Sequence, residues 1–215
     1  MASLLFLPGK VFASIVGIYY FRYLPRPYRL VLLLIAIALF CESYGYYISI
    51  YRHAHNAWVF NIYMFFEALL LGVAAIYLTN NQFSKKSFLV LLILNSIIWI
   101  AVIVTNSIYA FATISMVCGC CVLTVIYIVV LYTNSLFSNE KAFKQPVFWL
   151  SIATILYFGC DIPYMGFQSY LIAHSPILVL KLENINRILD RIRYPLVAIS
   201  FILLGRQKQV GFTAA

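Results

Sequence analysis

The stretch that decides the fold is residues 29–51, which read RLVLLLIAIALFCESYGYYISIY. About 20 predominantly apolar residues are enough for an α-helix to cross roughly 30 Å of hydrocarbon. This stretch reaches that length, and it contains a single acid, Glu42. The pattern therefore predicts a transmembrane helix that carries a carboxylate within it.

The same pattern recurs along the whole chain. Hydrophobic residues make up 64% of it and charged residues 10%, whereas about a quarter of a typical soluble domain is charged. The sequence predicts an all-α, polytopic helical bundle that forms a single transmembrane domain over residues 1–215, with the lipid bilayer as its surroundings. The seven predicted segments are residues 3–22, 29–51, 57–79, 87–105, 108–133, 147–172 and 182–205. Only residues 105–107 separate the fourth segment from the fifth, and the count falls to six without that break.

The basic residues predict the orientation. Nine lie in the first, third and fifth loops and the C-terminal tail, and two lie on the other side. Cytoplasmic loops are enriched in Lys and Arg, so we expect the N-terminus outside and the C-terminus in the cytoplasm. The formal net charge of +9 is explained by these short loops, and it does not indicate nucleic-acid binding. The nine are Arg22, Arg26, Arg29, Lys85, Lys86, Lys141, Lys144, Arg206 and Lys208; the two are Arg52 and Lys181.

Two pairs of segments match each other. Residues 27–42 match 146–161, and residues 61–67 match 184–190; within each pair a proline or an asparagine begins the match and a carboxylate ends it. Duplicated helical units are common in transporters. The matches predict parallel repeats over residues 1–80 and 108–205, with residues 87–105 as a linker helix. The alternative is a chance match, because apolar sequences resemble one another easily.

Charged residues inside the predicted helices mark the candidate site. An ionised side chain within the bilayer is expensive, so it usually faces the bundle interior and pairs. At 1.5 Å per helical residue, these residues lie at the membrane midplane or in the outer half of the membrane. They predict a charged pocket open to the outer side. The candidate ligand-binding residues are Lys10, Glu42, Glu67, Asp161, Arg187, Asp190, Arg191 and Tyr194.

The seventh segment carries the densest set of these charges. Glu183, Arg187, Asp190 and Tyr194 recur at spacings of four, three and four residues, which places them on one helix face. Arg193 lies off that face, and we expect its long side chain to snorkel outward.

Two alternatives remain for these charges. They form either a water-filled outer cavity or a buried ion-pair network that fixes helix register and binds nothing. Pro163 lies two residues after Asp161, and Gly159 and Gly166 flank the two residues. A proline frees a backbone carbonyl and kinks a helix, which indicates either a broken helix lining a site or a kink for packing alone.

No motif for catalysis, metal binding or cofactor binding is found in the sequence. His53, His55 and His174 fall in predicted outer loops, where surface histidines are expected. Phosphate-binding glycine loops, serine-nucleophile elbows and HExxH are absent. We therefore expect no metal and no cofactor, and beyond the paired acids nothing favours an enzyme.

Four segments resemble small, uncharacterised seven-helix inner-membrane proteins of bacteria. The resemblance implies a topology and a location in the bacterial inner membrane, but no activity. A three-plus-one-plus-three arrangement is also similar, in architecture only, to SWEET sugar exporters and the KDEL receptor; their proline-glutamine loop motif is missing here. The four segments are CESYGYY (41–47), NIYMFFEALL (61–70), PVFWLSIATILYF (146–158) and NINRILDRIRYPLVAISFIL (184–203).

Three functions fit these features. A receptor-like or sensory protein would bind a small polar or zwitterionic ligand from outside, as the mixed charges of the pocket favour. A small-solute or proton-coupled transporter is favoured by the repeat and the midplane acids. A structural or accessory membrane subunit would use the charges only to hold helices together. The sequence leaves the oligomeric state open.

Overall fold

The chain folds entirely into helices in the computed structural model, which describes residues 7–53, 55–135 and 142–213. No strand occurs within those ranges, and two short 3-10 turns, Phe21–Tyr23 and Ala142–Lys144, join helices. The predicted all-α bundle is confirmed. The seven helices of the described residues are α1 (Leu7–Tyr19), α2 (Arg26–Tyr51), α3 (Ala57–Leu78), α4 (Gln82–Asn106), α5 (Thr113–Ser135), α6 (Pro146–His174) and α7 (Pro176–Thr213).

Five of these helices, α2 to α6, are long and apolar enough to cross a membrane, which indicates a membrane protein. The described part of α1 has only 13 residues, and residues 3–6 of its predicted segment lie outside the described ranges. Helix α7 is longer than predicted, with 38 residues, and charged residues interrupt its first half. Crossing of the bilayer by α1 and α7 therefore stays a prediction.

The short break between the fourth and fifth segments is real. Helix α4 ends at Asn106, and Ser107 adopts a positive φ of 69°, which an L residue rarely adopts. The fully buried Asn61 of α3 secures the loop that follows. Its Nδ2 donates to the carbonyl oxygens of Ile108 and Ala110, each at 2.8 Å, and its Oδ1 accepts from the Ala112 amide at 3.2 Å. The six-helix alternative is therefore wrong.

Six helices pack as a closed ring in the order α1, α2, α3, α5, α6, α7, and α4 packs outside the ring on α3 and α5. Two parallel contacts join the helix triple α1–α3 to the triple α5–α7. Between α1 and α7, Gly9 faces Tyr194 and Gly17 faces Phe201. Between α3 and α5, the Tyr127 hydroxyl donates to the Leu71 carbonyl oxygen at 3.1 Å. Asn61, ten residues earlier in α3, contacts the residues just before α5, so the two helices run in the same direction.

Apolar side chains fill both the core and the outer surface of the bundle. The core contains small residues where helices approach closely, such as Ala38, Ala74 and Ala198, all fully buried. Helix α4, by contrast, exposes most of its apolar side chains. Such a surface suits hydrocarbon, because a soluble monomer rarely exposes large contiguous apolar patches. The exposed residues of α4 include Leu89, Ile93, Leu94, Ile97, Ile100 and Val104.

Of the two alternatives for the sixth segment, the broken helix is not found. Pro163 lies inside α6, and the helix continues without interruption to His174. A proline in a helix removes one hydrogen bond without necessarily ending the helix, and neighbouring helices in a membrane bundle tolerate this loss.

Candidate functional site: a buried charged layer

Lys10 links three helices. Its Nζ donates to Glu42 Oε1 of α2 and, at 2.9 Å, to Asp190 Oδ2 of α7. The ammonium also lies 4.9 Å from the centroid of the Tyr194 ring, a cation–π distance. The Lys10 side chain is 1% exposed. An aliphatic amine at this depth is stabilised by two carboxylates and a ring face together.

Arg193 and Glu67 form a second buried pair, between α7 and α3. Their closest nitrogen and oxygen atoms are 2.8 Å apart, and the two side chains are 5% and 1% exposed. The Tyr63 hydroxyl donates to the same Glu67 oxygen at 2.9 Å. The guanidinium carbon lies 4.4 Å from the Tyr157 ring centroid and 4.8 Å from that of Phe158. Aromatic rings therefore enclose this pair and exclude water from it.

Asp161 of α6 is buried without a cationic partner within salt-bridge distance in the described part of the chain. Its Oδ2 accepts from the Cys120 thiol of α5, with a sulfur–oxygen distance of 3.6 Å. Its Oδ1 is buried and has no hydrogen-bond partner among the described residues. A thiol is a weak donor, so this carboxyl group is the least compensated of the layer.

A glycine and a proline bring α1 close enough for Lys10 to reach α7. A Cβ on Gly9 would lie 3.7 Å from the Arg191 carbonyl oxygen and 3.9 Å from Pro195 Cδ. Because Pro195 has no N–H, the Arg191 carbonyl loses its usual helical partner. The α1 backbone packs against this point of α7, and the next residue, Lys10, is directed at Asp190.

The structure gathers six of the eight predicted site residues into this layer: Lys10, Glu42, Glu67, Asp161, Asp190 and Tyr194. The other two lie elsewhere. Arg187 pairs with Glu183 one turn away on its own helix, where the two side chains are 30% and 36% exposed. Arg191 is exposed and outside the buried layer.

Arg193 is the residue that sequence reasoning misplaced. The expectation that it snorkels outward is wrong, because α7 packs on α1 along one flank and on α6 along the other. Both flanks are therefore covered. A signal was present: Val197 and Ser200, four and seven residues later, are buried, and such residues share a helix face with Arg193. Continuing the apolar stripe backwards would have placed Arg193 inside.

The layer holds more acids than bases. Its four carboxylates belong to Glu42, Glu67, Asp161 and Asp190, and its two cations to Lys10 and Arg193. Glu183, Arg187 and Arg191 lie outside the layer. Uncompensated negative charge in a low-dielectric interior is costly, so the layer favours the approach of positive charge.

Two cavities lie between the helices. A narrow one of about 20 Å³ lies between α3, α4 and α5, and its wall includes Glu67, Asn95, Trp99 and Cys120. A larger one of about 330 Å³ lies between α6 and α7, with Asn186 among mainly apolar lining residues. None of the eight predicted site residues lines the larger cavity. Aromatic rings enclose the buried pair of Arg193 and Glu67, whereas the Glu42 side chain is 28% exposed.

No family model, curated protein or solved structure matches this chain. The resemblance to bacterial seven-helix inner-membrane proteins therefore stays a prediction. The buried charged layer is the feature from which a function can be proposed.

Proposed function

We propose that this membrane protein is a small-solute transporter whose solute binds at the buried charged layer. The observation that carries the proposal is the excess of two carboxylates among the six charged groups of the layer. A purely structural network is expected to balance its charges, because each unpaired buried charge destabilises the fold. An excess is expected instead where a positively charged solute or a proton binds during part of a transport cycle.

The packing of the helices supports the same reading. The layer lies where the two helix triples of the ring meet, and each triple contributes carboxylates to it. In many transporters the solute binds near the bilayer midplane at the interface between two repeats, and one repeat rocks against the other. The enclosing rings of Tyr157, Phe158 and Tyr194 correspond to an occluded arrangement of such a site.

Uptake into proteoliposomes tests the proposal. We expect uptake above that of empty liposomes for at least one of three labelled solutes: methylammonium, glycine betaine and alanine, which are cationic or zwitterionic. The variant Glu183→Gln is the control, because its pair with Arg187 is half-exposed and outside the layer; it should transport as the wild type does. Absence of uptake for all three solutes, in protein that remains folded, contradicts the proposal.

A receptor-like protein is the second candidate, and the cavity of about 330 Å³ between α6 and α7 favours it. Its wall is mainly apolar, but the buried Oδ1 of Asn186 has no hydrogen-bond partner among the described residues. This combination suits a ligand with an apolar body and one polar group. Saturable binding without uptake would select the receptor over the transporter, and neither binding nor uptake would select a structural subunit.

A further inference from the structure

Within the described residues, the ring contains a tethered ammonium group on one side and not on the other. Lys10 of α1 extends its ammonium to a carboxylate of α2, Glu42, and to a carboxylate of α7, Asp190. The ammonium thereby bridges one acid from each helix triple. Lysine presents three N–H donors and no acceptor, which suits a position between two carboxylates.

The other side of the ring offers two carboxylates without a lysine among the described residues, and Arg193 pairs with one of them, Glu67. Cys120 of α5 bonds through its thiol to a carboxylate of α6, Asp161, and lines a cavity together with a carboxylate of α3, Glu67. Helix α5 thus stands between acids of α6 and α3, as α1 stands between acids of α2 and α7. The two sequence matches pair these same four acids, Glu42 with Asp161 and Glu67 with Asp190.

Three acceptor oxygens on this side lack hydrogen-bond donors among the described residues. They are Glu67 Oε2, Asp161 Oδ1 and Asn95 Oδ1, and their side chains are 1%, 1% and 5% exposed. Glu67 and Asn95 line the cavity of about 20 Å³, which has room for a group the size of one water molecule. Buried acceptors without donors are rare in folded proteins and call for an explanation.

The chemistry of these surroundings selects the ligand. Acceptor oxygens without donors are satisfied by N–H or O–H groups or by a metal cation, and the excess of carboxylates favours positive charge. The cavity wall adds the aromatic rings of Trp99, Phe65 and Phe158, whose faces attract cations. A compact cation that carries several N–H donors meets all three requirements. Within the described residues, no three His, Cys, Asp or Glu side chains form a group that could hold a metal ion, and a quaternary ammonium brings neither donors nor a suitable size.

We propose that the ammonium ion binds between Glu67, Asn95, Cys120 and Asp161, and methylammonium, which is larger by one methyl group, serves as its probe. The ammonium ion occupies the position that corresponds to the Lys10 ammonium on the opposite side of the ring. The binding of this ligand does not depend on the proposed transport function. Only its identification as the transported solute rests on that function.

Thermal unfolding of the purified full-length protein in detergent measures binding directly. The protein is titrated with methylammonium chloride and, in separate experiments, with sodium chloride or tetramethylammonium chloride at the same ionic strength and pH. We expect a saturable rise in Tm with methylammonium, about 5–10 °C at a hundredfold excess over Kd, and a saturable change in tryptophan fluorescence, because Trp99 lines the cavity. An equal rise with sodium or tetramethylammonium overturns the proposal, and so does a Tm that responds to pH alone.

Two variants locate the site. Asn95→Leu removes an acceptor without changing the charge, and we expect methylammonium to bind at least ten times more weakly. Cys120→Lys supplies a tethered ammonium in place of the free one, and the response to methylammonium should disappear. Cys121→Ser, at an exposed neighbouring position, is the matched control. If Cys120→Lys does not fold, Asn95→Leu decides, and unchanged affinity in that variant overturns the assignment.

The outcome separates this proposal from the transporter proposal. Binding that responds to Asn95→Leu, without uptake of methylammonium into proteoliposomes, supports the site and contradicts transport of this ligand. Uptake of alanine or glycine betaine without any effect of methylammonium on Tm supports transport and overturns the ammonium site.

Discussion

At the scale of single residues, the ion pair formed by Arg193 differs sharply in environment from the ion pair formed by Arg187. Arg193 and Glu67 are buried among aromatic rings, whereas Arg187 and Glu183 are about one-third exposed. Removing one partner of a buried ion pair leaves a charge without compensation. The same change in an exposed pair costs little, because water and ions screen the remaining charge.

Glu67→Gln is therefore expected to lower the free energy of unfolding by about 3–5 kcal/mol. The control Glu183→Gln should lower it by no more than about 1 kcal/mol. The double variant Glu67→Gln/Arg193→Met should recover part of the loss, since no charge is then stranded. Denaturation in detergent of the three variants measures these differences. Equal losses for Glu67→Gln and Glu183→Gln would show that the pair is not buried.

The sequence predicted the kinds of residue that form the layer better than it predicted which residues belong to it. Lys10, Glu42 and Asp190 were foreseen because a charge inside an apolar segment has few favourable environments other than a paired interior. Arg193 was missed because the side of a helix that is buried depends on how many neighbours pack against it. Cys120 was missed because a cysteine in an apolar helix is usually a small packing residue, and only the position of Asp161 gives it another role.

At the scale of helices, glycines determine how closely the ring closes. A Cβ on Gly17 would lie 2.5 Å from Leu32 Cδ1 of α2 and 3.0 Å from Phe201 Cε2 of α7. Helix α1 therefore touches both neighbours at a point where no side chain fits without displacement. The charged layer depends on this approach, because Lys10 is two turns away on the same helix.

Gly17→Ala is expected to destabilise the bundle by about 1–3 kcal/mol through overpacking, despite the higher helix propensity of alanine. Gly166→Ala is the matched control, since a Cβ on Gly166 meets no atom within 4 Å. That change should leave stability unchanged or raise it by up to about 1 kcal/mol. Thermal unfolding in detergent compares the two. A loss in both variants, or in neither, would contradict the close contact of α1 with α2 and α7.

The sequence predicted which segments form helices better than it predicted where those helices begin and end. The apolar runs of α2 to α6 were long enough to identify, since each covers a bilayer. Helix α7 begins at Pro176 and extends to Thr213, beyond both predicted ends. The added residues read PILVLK (176–181) at the N-terminal end, directly after a turn-like stretch, and the mainly polar RQKQVGFT (206–213) at the C-terminal end. The continuity of α6 through Pro163 was likewise not foreseeable, because it depends on packing by neighbouring helices.

At the scale of the whole molecule, one end of the bundle collects most of the described basic residues. The C-terminal part of α7 lies at that end, where Gln207 Nε2 donates to the Lys144 carbonyl oxygen at 3.1 Å. Arg22, Arg26 and Lys85 lie at the loops of the same end. Because basic loops stay in the cytoplasm, this end is expected to face the cytoplasm of a bacterial cell.

Reporter fusions test that orientation. A fluorescent protein fused after residue 215 should fluoresce, and alkaline phosphatase fused at the same point should be inactive, because the phosphatase folds only outside the cytoplasm. Reversed results would contradict the predicted orientation. A phosphatase fusion within the loop at Arg52 and His53, on the opposite end, is the control and should be active.

The account as a whole depends on the charged layer binding solute, and Asp161→Asn in proteoliposomes tests this most directly. No lysine or arginine lies within salt-bridge distance of Asp161 in the described part of the chain, so the change strands no partner, and Tm should stay within about 4 °C of the wild type. If the layer binds solute, uptake of the solute that the wild type transports should fall at least tenfold. If the layer is structural, uptake in Asp161→Asn will equal that of the wild type, and the central claim is contradicted.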